Sequence, residues 1–237
     1  MSGSRAKSKS RSRSKPKPTA KSREPLHKAR ERSLVAATRA LFDERGVQDA
    51  PIEEIARSAG IARGLVYRHF SSKDELFVLT VTDYLAELQA LLETAAGSAG
   101  DPAGRLERIT EAYGGFCQRY PAFLDCSLTL MHRPAGELYE IVSESVWLRL
   151  GQGMAGCIGV LAEVLHEGAR TGEFTVEDPD YAANVLWTQM LGAMHLARIR
   201  VGMRRAEAGA PELFRIEPER VVASCVESAL VLVGARR

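Results

Sequence analysis

Between Pro51 and Phe77 the chain reads PIEEIARSAGIARGLVYRHFSSKDELF. Its apolar residues can share one small core only as two short helices joined by a tight turn, with a third helix starting just after. Gly60 supplies the turn, because glycine enters the left-handed conformation without steric cost. Leu41, Phe42, Val47, Ile52, Ile55, Ala56, Ile61, Val66 and Phe70 can converge, and Ala56 and Gly60 are small where two helices must cross closely. Arg63, Gly64, Leu65, Tyr67, Arg68 and His69 then remain outside on the second helix. A short polar helix held against a small hydrophobic core is the geometry that enters a DNA major groove.

Charge is distributed very unevenly around this segment. Residues 1–32 hold 12 of the 32 Lys/Arg and 2 of the 30 Asp/Glu, so the remaining 205 residues carry 20 basic and 28 acidic side chains. The net charge of +2 therefore hides a tail of +10 on a body of −8. Residues 1–23, nearly all Ser, Lys, Arg and Pro, cannot bury enough apolar surface to offset their ordering entropy, and are expected to form a disordered basic tail. Two readings stand for it: a solvated tail, or an arm that follows phosphates.

Beyond the tail the expected fold is all-α, about nine helices in two domains: a helix-turn-helix domain over 24–77 and a larger helical domain over 78–237. Helices are expected at about 25–44, 51–59, 63–70, 72–96, 103–119, 121–131, 137–170, 178–204 and 217–235, with no convincing period-two strand. Asp49 is a plausible N-cap for the second helix, and Ser71 or Ser72 for the fourth, whose first turn carries Asp74 and Glu75. The fourth helix keeps Phe77, Val81, Tyr84, Leu85, Leu88, Leu91 and Leu92 on one stripe and is long enough to join the two domains rigidly.

The outward residues of the third helix suit DNA chemically. Arg63 can fork onto guanine O6 and N7, and Gly64 lets the backbone approach the duplex. Tyr67 and His69 can donate to phosphates, and Lys73 sits at a helix N-terminus, where anions are favoured. The bland alternatives are a half-buried core tyrosine, a histidine satisfied by a carbonyl, and a solvated face for Arg63 and Arg68.

The stretch from about Ser33 to Phe77, and EIARSAGIARGLVYRHFSSKDELF above all, resembles the DNA-binding domain of TetR-family transcriptional regulators. The shared pattern is IA, a Gly turn, then Gly, Tyr, His-Phe, Ser-Lys and a Leu. The resemblance implies an all-helical subunit, a homodimer, a palindromic double-stranded DNA operator, and a C-terminal domain that binds a small molecule and releases DNA. Hydroxyl residues frequent in the family are replaced here by Pro51, Ala62 and Leu65. Leu65 can instead pack on a thymine methyl.

In the larger domain, Phe116, Tyr120, Phe123, Leu124, Leu128, Met131, Tyr139, Val146, Trp147, Met154 and Met190 are candidate walls of an apolar effector pocket. Each is also an ordinary core residue by type. His132, Arg133 or His195 could anchor a polar end. The helices over 178–204 and 217–235 carry apolar residues on more than one face, which suits a two-fold four-helix seam with Trp187, Leu191, Met194, Val222, Val226 and Leu230 as candidate contacts. The segment EGARTGEFTVEDPDYAANVLW also resembles the usual lead into the dimerisation helices of TetR-type proteins.

Residues 151–156 spell GxGxxG, but inside a helical pattern, with no strand before it and no parallel sheet; close helix packing or a bend is the better reading. The five histidines are dispersed, no HExxH or GxSxG is present, and the four cysteines lack zinc spacing. The expectation is therefore a cytoplasmic regulator without catalytic residues, metal or cofactor, and with no membrane partner. A repressor released by an apolar or amphipathic effector is the leading form. A transcriptional activator of the same fold would show the same features. The reading from a different class is an all-helical enzyme with an incidental helix-turn-helix-like start.

Overall fold

The structure, a computed structural model, describes residues 20–46, 50–97, 100–206 and 209–235. Ten helices and one two-stranded sheet are found among the described residues. The order is α1 (Ala20–Arg45), α2 (Ile52–Ser58), α3 (Arg63–Val66), α4 (Lys73–Gly97), α5 (Pro102–Arg119), α6 (Pro121–Met131), α7 (Ala135–Ile141), α8 (Glu144–Thr171), α9 (Pro179–Ile199), β1 (Val201–Arg205), β2 (Pro211–Arg215) and α10 (Pro218–Leu232). Residues 20–23 of the expected tail belong to α1, while residues 1–19, Val47 and the expected cap Asp49 lie outside the described residues.

Helices α1 to α3 bury Leu34, Val35, Leu41, Phe42, Ile52, Ile55, Ala56, Val66 and Phe70 in one cluster. Pro51 was expected inside α2 but stands before it in an extended conformation (φ −70°, ψ 146°). Its carbonyl accepts from the Glu54 and Ile55 N–H groups at 3.0 and 3.2 Å, so the helix starts without a side-chain cap. Gly60 turns the chain at φ +68°, and the Ile61 N–H closes on the Ala56 carbonyl at 2.9 Å. Only the first turn of α3 is α-helical. The Arg68 and His69 N–H groups then bond to carbonyls three residues back, a tighter winding than the expected helix over 63–70.

The 25-residue α4, roughly 37 Å long at the α-helical rise, runs unbroken from the small domain into the large one. Against it the large domain packs α5, α6 and α8, with α9 behind them. The GxGxxG segment lies within α8, where it crosses α4: a side chain on Gly156 would collide with Gln89, and one on Gly153 would meet Leu85 at 3.3 Å. By length and composition α8 could cross a bilayer. In this fold its Leu150, Cys157, Leu161 and Leu165 are buried inside the helical bundle. Burial pushes the thiols of Cys117 and Cys157 up to about 12, which keeps them protonated and unreactive at neutral pH.

Two expectations are corrected here. The helix expected over 137–170 is two helices, because Val142 and Ser143 are extended (φ −123° and −65°, ψ 156° and 151°). Ile141 and Val142 are β-branched and resist helix, and serine favours the position that begins one. The helix expected to reach 204 stops at Ile199, where Arg200 adopts a left-handed conformation (φ +56°). An antiparallel hairpin follows, with Met203 opposite Leu213 and Gly202 opposite Phe214. Every residue of its strands except Gly202 is exposed, so neither strand carries an alternating apolar period that the sequence could show.

Candidate nucleic-acid interface and internal cavity

On the small domain, Arg63, Gly64, Tyr67, Arg68 and Lys73 are exposed, and Leu65 is half-buried. Nothing lies within 4 Å of a Cβ built on Gly64, so this backbone is open to a large ligand. Arg63 Nη1 pairs with Glu53 Oε1 of α2 at 2.7 Å, and Arg45 takes Glu54 of the same turn at 2.5 Å. Both acidic groups of that first turn are therefore held by arginines. An exposed pair of this kind contributes at most about 1 kcal/mol and exchanges readily for a better acceptor.

His69 is placed differently from the exposed residues of this face. Its ring packs 4.5 Å from that of His27 on α1, and its Nδ1 is buried with no hydrogen-bond partner among the described residues. Burial first, then the proximity of His27 and Arg30, lowers its pKa below the ordinary value, so it is neutral at pH 7. It packs α1 against the residues that follow α3.

Two polar assemblies tie this domain to the large one. Arg39 of α1 bonds Asp83 at 2.8 Å and Glu87, both on α4, and lies over the rings of Tyr84 and Tyr120 at 4.2 and 4.8 Å. The Tyr84 hydroxyl donates to Asp43 at 2.6 Å. The second assembly centres on Glu75. Its carboxylate accepts from the Ser71 N–H and Oγ at 2.6 and 2.7 Å, and from the hydroxyl of Ser143, which begins α8. Ser72 caps α4 by accepting from the Glu75 N–H at 3.0 Å and also donates to the Ile141 carbonyl. One residue away, Asp74 pairs with Arg133, just beyond α6, at 2.7 Å. Sequence reasoning took Asp74 and Glu75 only as first-turn acids. The Ser72–Glu75 spacing is the S-x-x-E capping signature, which marks a helix start but says nothing of Ser143.

Within the large domain a half-open cavity of about 210 Å³ is lined by Val81 and Leu85 of α4, Ser127, Leu130 and Met131 of α6, Arg133, Leu138 of α7, Trp147, Leu150 and Met154 of α8, and Trp187 and Leu191 of α9. Of the expected wall residues, Met131, Trp147 and Met154 line it. The others are placed elsewhere. Phe116, Tyr120 and Phe123 pack on one another, with ring centroids 4.9 and 5.2 Å from that of Phe116. Leu124 and Val146 are buried, and Leu128 packs against the core. Tyr139 is exposed, edge-on to Trp147 at 6.1 Å. Met190 faces a separate groove of about 450 Å³ between α9, α10 and the hairpin. His132 Nδ1 is engaged by the Leu128 carbonyl, and His195 lies on the exposed side of α9.

The candidate dimer contacts also point inward. Leu191, Met194 and Leu230 are buried in the subunit's own core, and Trp187 lies edge-on to Tyr113 at 5.2 Å. Val222 sits over Gly114 of α5, and Val226 is half-buried. An apolar stripe serves the nearest core first. The faces of α9 and α10 left open are lined by Tyr181, Thr188, Gly192, Leu196, Ile199, Ala223, Ser224, Ser228 and Val231.

Residues 34–79 match the family model described as bacterial regulatory proteins, tetR family. The HTH-type transcriptional activator FasR of Mycolicibacterium smegmatis is 32% identical over 97 residues, 41% of this chain and 44% of that protein. The HTH-type transcriptional regulator AcrR of Shigella flexneri is 35% identical over 92 residues, 38% and 41% of the two chains. The chain thus spans less than half the length of the curated relatives it matches. Solved structures extend the likeness to the whole fold. A tetR-family regulatory protein from Rhodococcus RHA1 superposes with a TM-score of 0.63 at 18% identity, over 88% of this chain and 98% of that one. RolR in complex with resorcinol superposes with a TM-score of 0.64 at 18% identity, over 90% and 91%. Residues 34–79 thus carry a helix-turn-helix domain of the kind found in the tetR family of bacterial regulatory proteins, in a chain whose overall fold is similar to solved structures of such proteins.

Proposed function

We propose that the protein is a cytoplasmic, sequence-specific DNA-binding transcriptional regulator, a repressor released by a small apolar effector. The observation that carries this is the α2–α3 face: Arg63, Tyr67 and Arg68 stand exposed beside an open Gly64, on a domain that matches the family over residues 34–79. Arg63 reads a base after leaving Glu53, Leu65 meets a thymine methyl, and Tyr67, Arg68 and Lys73 hold phosphates. The solved neighbour that holds resorcinol supports a small effector, and the cavity beside α4 is the place for it.

Selection from random duplexes with the purified protein should enrich a palindrome. Arg63→Ala should then weaken binding to the selected site by about 1–3 kcal/mol, with little change on random DNA. Equal losses on both would remove the base-reading role.

A palindrome requires two recognition turns about 34–36 Å apart, which a two-fold pair of subunits supplies. The open faces of α9 and α10 are the seam of this reading, with small residues where helices meet. A Cβ on Gly192 meets nothing within 4 Å, so Gly192→Arg is tolerated by the subunit itself. Sedimentation should show that variant as a folded monomer with weakened operator binding. A dimer of undiminished stability would place the seam elsewhere.

A further inference from the structure

Arg133 borders two cavities at once. On one side is the 210 Å³ cavity, where, among the described residues, Arg133 brings the one charged side chain, beside Ser127 and the indoles of Trp147 and Trp187, to otherwise apolar walls that include Val81, Leu85, Met131 and Leu138. On the other is a cleft under the small domain, shared with Asp74, Lys73, Phe42 and Ile55. Its guanidinium is paired with Asp74 at 2.7 Å, and both side chains are more than a third exposed. A pair this exposed is weakly held. Asp74 also lies in the first turn of α4, where the helix dipole favours a negative charge even without its partner. Arg133 can therefore leave at small cost, while a carboxylate set among apolar walls would need a cation.

We propose that the cavity takes a small carboxylate ligand whose apolar body lies between Trp147 and Trp187, and whose carboxylate takes Arg133 away from Asp74. Size sets the body: a dry cavity of about 150 Å³ accommodates benzene, so 210 Å³ accommodates one substituted ring or a short acyl chain. Charge sets the head, because a guanidinium fork matches a carboxylate bidentately. The exchange also has a direction. Asp74 is adjacent to Glu75, which anchors the start of α4 to Ser71 and Ser143. Releasing Asp74 unties one of the three side-chain links that, among the described residues, hold this end of α4 against the large domain, with Glu75–Ser143 and Ser72–Ile141 remaining, and the recognition turn ends at Phe70, three residues before α4 begins. The coupling to DNA rests on the regulator reading above; the ligand site does not.

The two tryptophans of the chain both line this cavity, so ligand binding can be read directly by their fluorescence, without DNA. Benzoate and hexanoate are titrated into the full-length protein, with benzamide and hexanamide as neutral counterparts of the same shape. At least one acid should bind about tenfold or more tightly than its amide, and Arg133→Met should abolish that preference while leaving amide binding unchanged. Asp74→Asn, which removes the competing carboxylate, should tighten binding of the acid. Its circular dichroism and melting temperature establish that each variant is folded. Acids binding no better than amides, or a preference that survives Arg133→Met, overturns the proposal. If the acid preference holds but the acid leaves DNA affinity unchanged, the site stands and the effector-release reading fails.

Discussion

Phe123→Ala is expected to lower the unfolding free energy by about 3–5 kcal/mol, the range for emptying a large aromatic site in a packed interior. Phe123 is fully buried on α6, and the rings of Tyr84 and Phe116 lie 5.9 and 5.2 Å away. The cost depends on how far the surroundings collapse into the void. Here they are pinned from outside. Tyr84 is tied to Asp43 by its hydroxyl, Arg39 lies over Tyr84 and Tyr120, and Arg39 is held by Asp83 and Glu87. Neither α4 nor α5 can close on the space without breaking that assembly. Denaturant unfolding followed by circular dichroism measures the loss. A value near 1 kcal/mol would mean that the aromatic cluster repacks and the assembly does not pin it. Tyr139→Ala, at an exposed neighbour of Trp147, should change stability by no more than about 0.5 kcal/mol.

Glu75→Ala should cost about 2–3 kcal/mol, because it leaves the Ser71 N–H and the Ser71 and Ser143 hydroxyls without their charged acceptor. The pH dependence distinguishes this from simple loss of packing. Burial by itself would raise the Glu75 pKa, but the hydrogen bonds from Ser143 and Ser71 outweigh it, and the net shift is downward. A depressed folded-state pKa means that the carboxylate stabilises the fold fully above its unfolded value of about 4.3 and loses this as pH falls through the folded value. The stability gap between the natural chain and Glu75→Ala should therefore be constant from neutral pH down to about 5 and shrink below about 4. A gap independent of pH over that range would show that the carboxylate's charge contributes nothing. Since Ser71 closes the small domain and Ser143 opens α8, the same variant should also loosen the link between the two domains.

Much of the fold was legible because its signals are local. Asp101 and Asp178 accept from the N–H groups three residues on, and each precedes a proline, so α5 and α9 announce their starts. Gly60 and the apolar spacing around it placed α2 to within one residue at each end and the start of α3 at Arg63, though α3 ends four residues before the expected Phe70. The hairpin after Arg200 was missed because its strands are exposed on both faces and so carry no two-residue apolar period, and because α9 ends at a non-glycine in a left-handed conformation, which no residue type signals.

The candidate sites divide in the same way. The exposed arginines and Tyr67 of the recognition turn could be assigned from one helix alone, since what faces outward follows from which residues make the core. His69 could not, because its environment is His27 on a different helix. The cavity walls and the dimer seam were read from apolar stripes, and a stripe states only that a face is buried, not what covers it. Phe116, Tyr120 and Phe123 cover one another, whereas Trp187 and Leu191 turn to the cavity.

By itself, then, the sequence determined the helical class, the helix-turn-helix and its outward side chains, and the long continuous α4, all set by interactions among residues a few positions apart. Only the tertiary structure decided that Glu75 meets Ser143, that Arg133 meets Asp74 beside a cavity, and which faces of α9 and α10 stay open. Those pairings join residues 59 and 68 positions apart. Their geometry depends on how α4, α6 and α8 cross, and helix crossing is set by the mutual fit of whole side-chain surfaces.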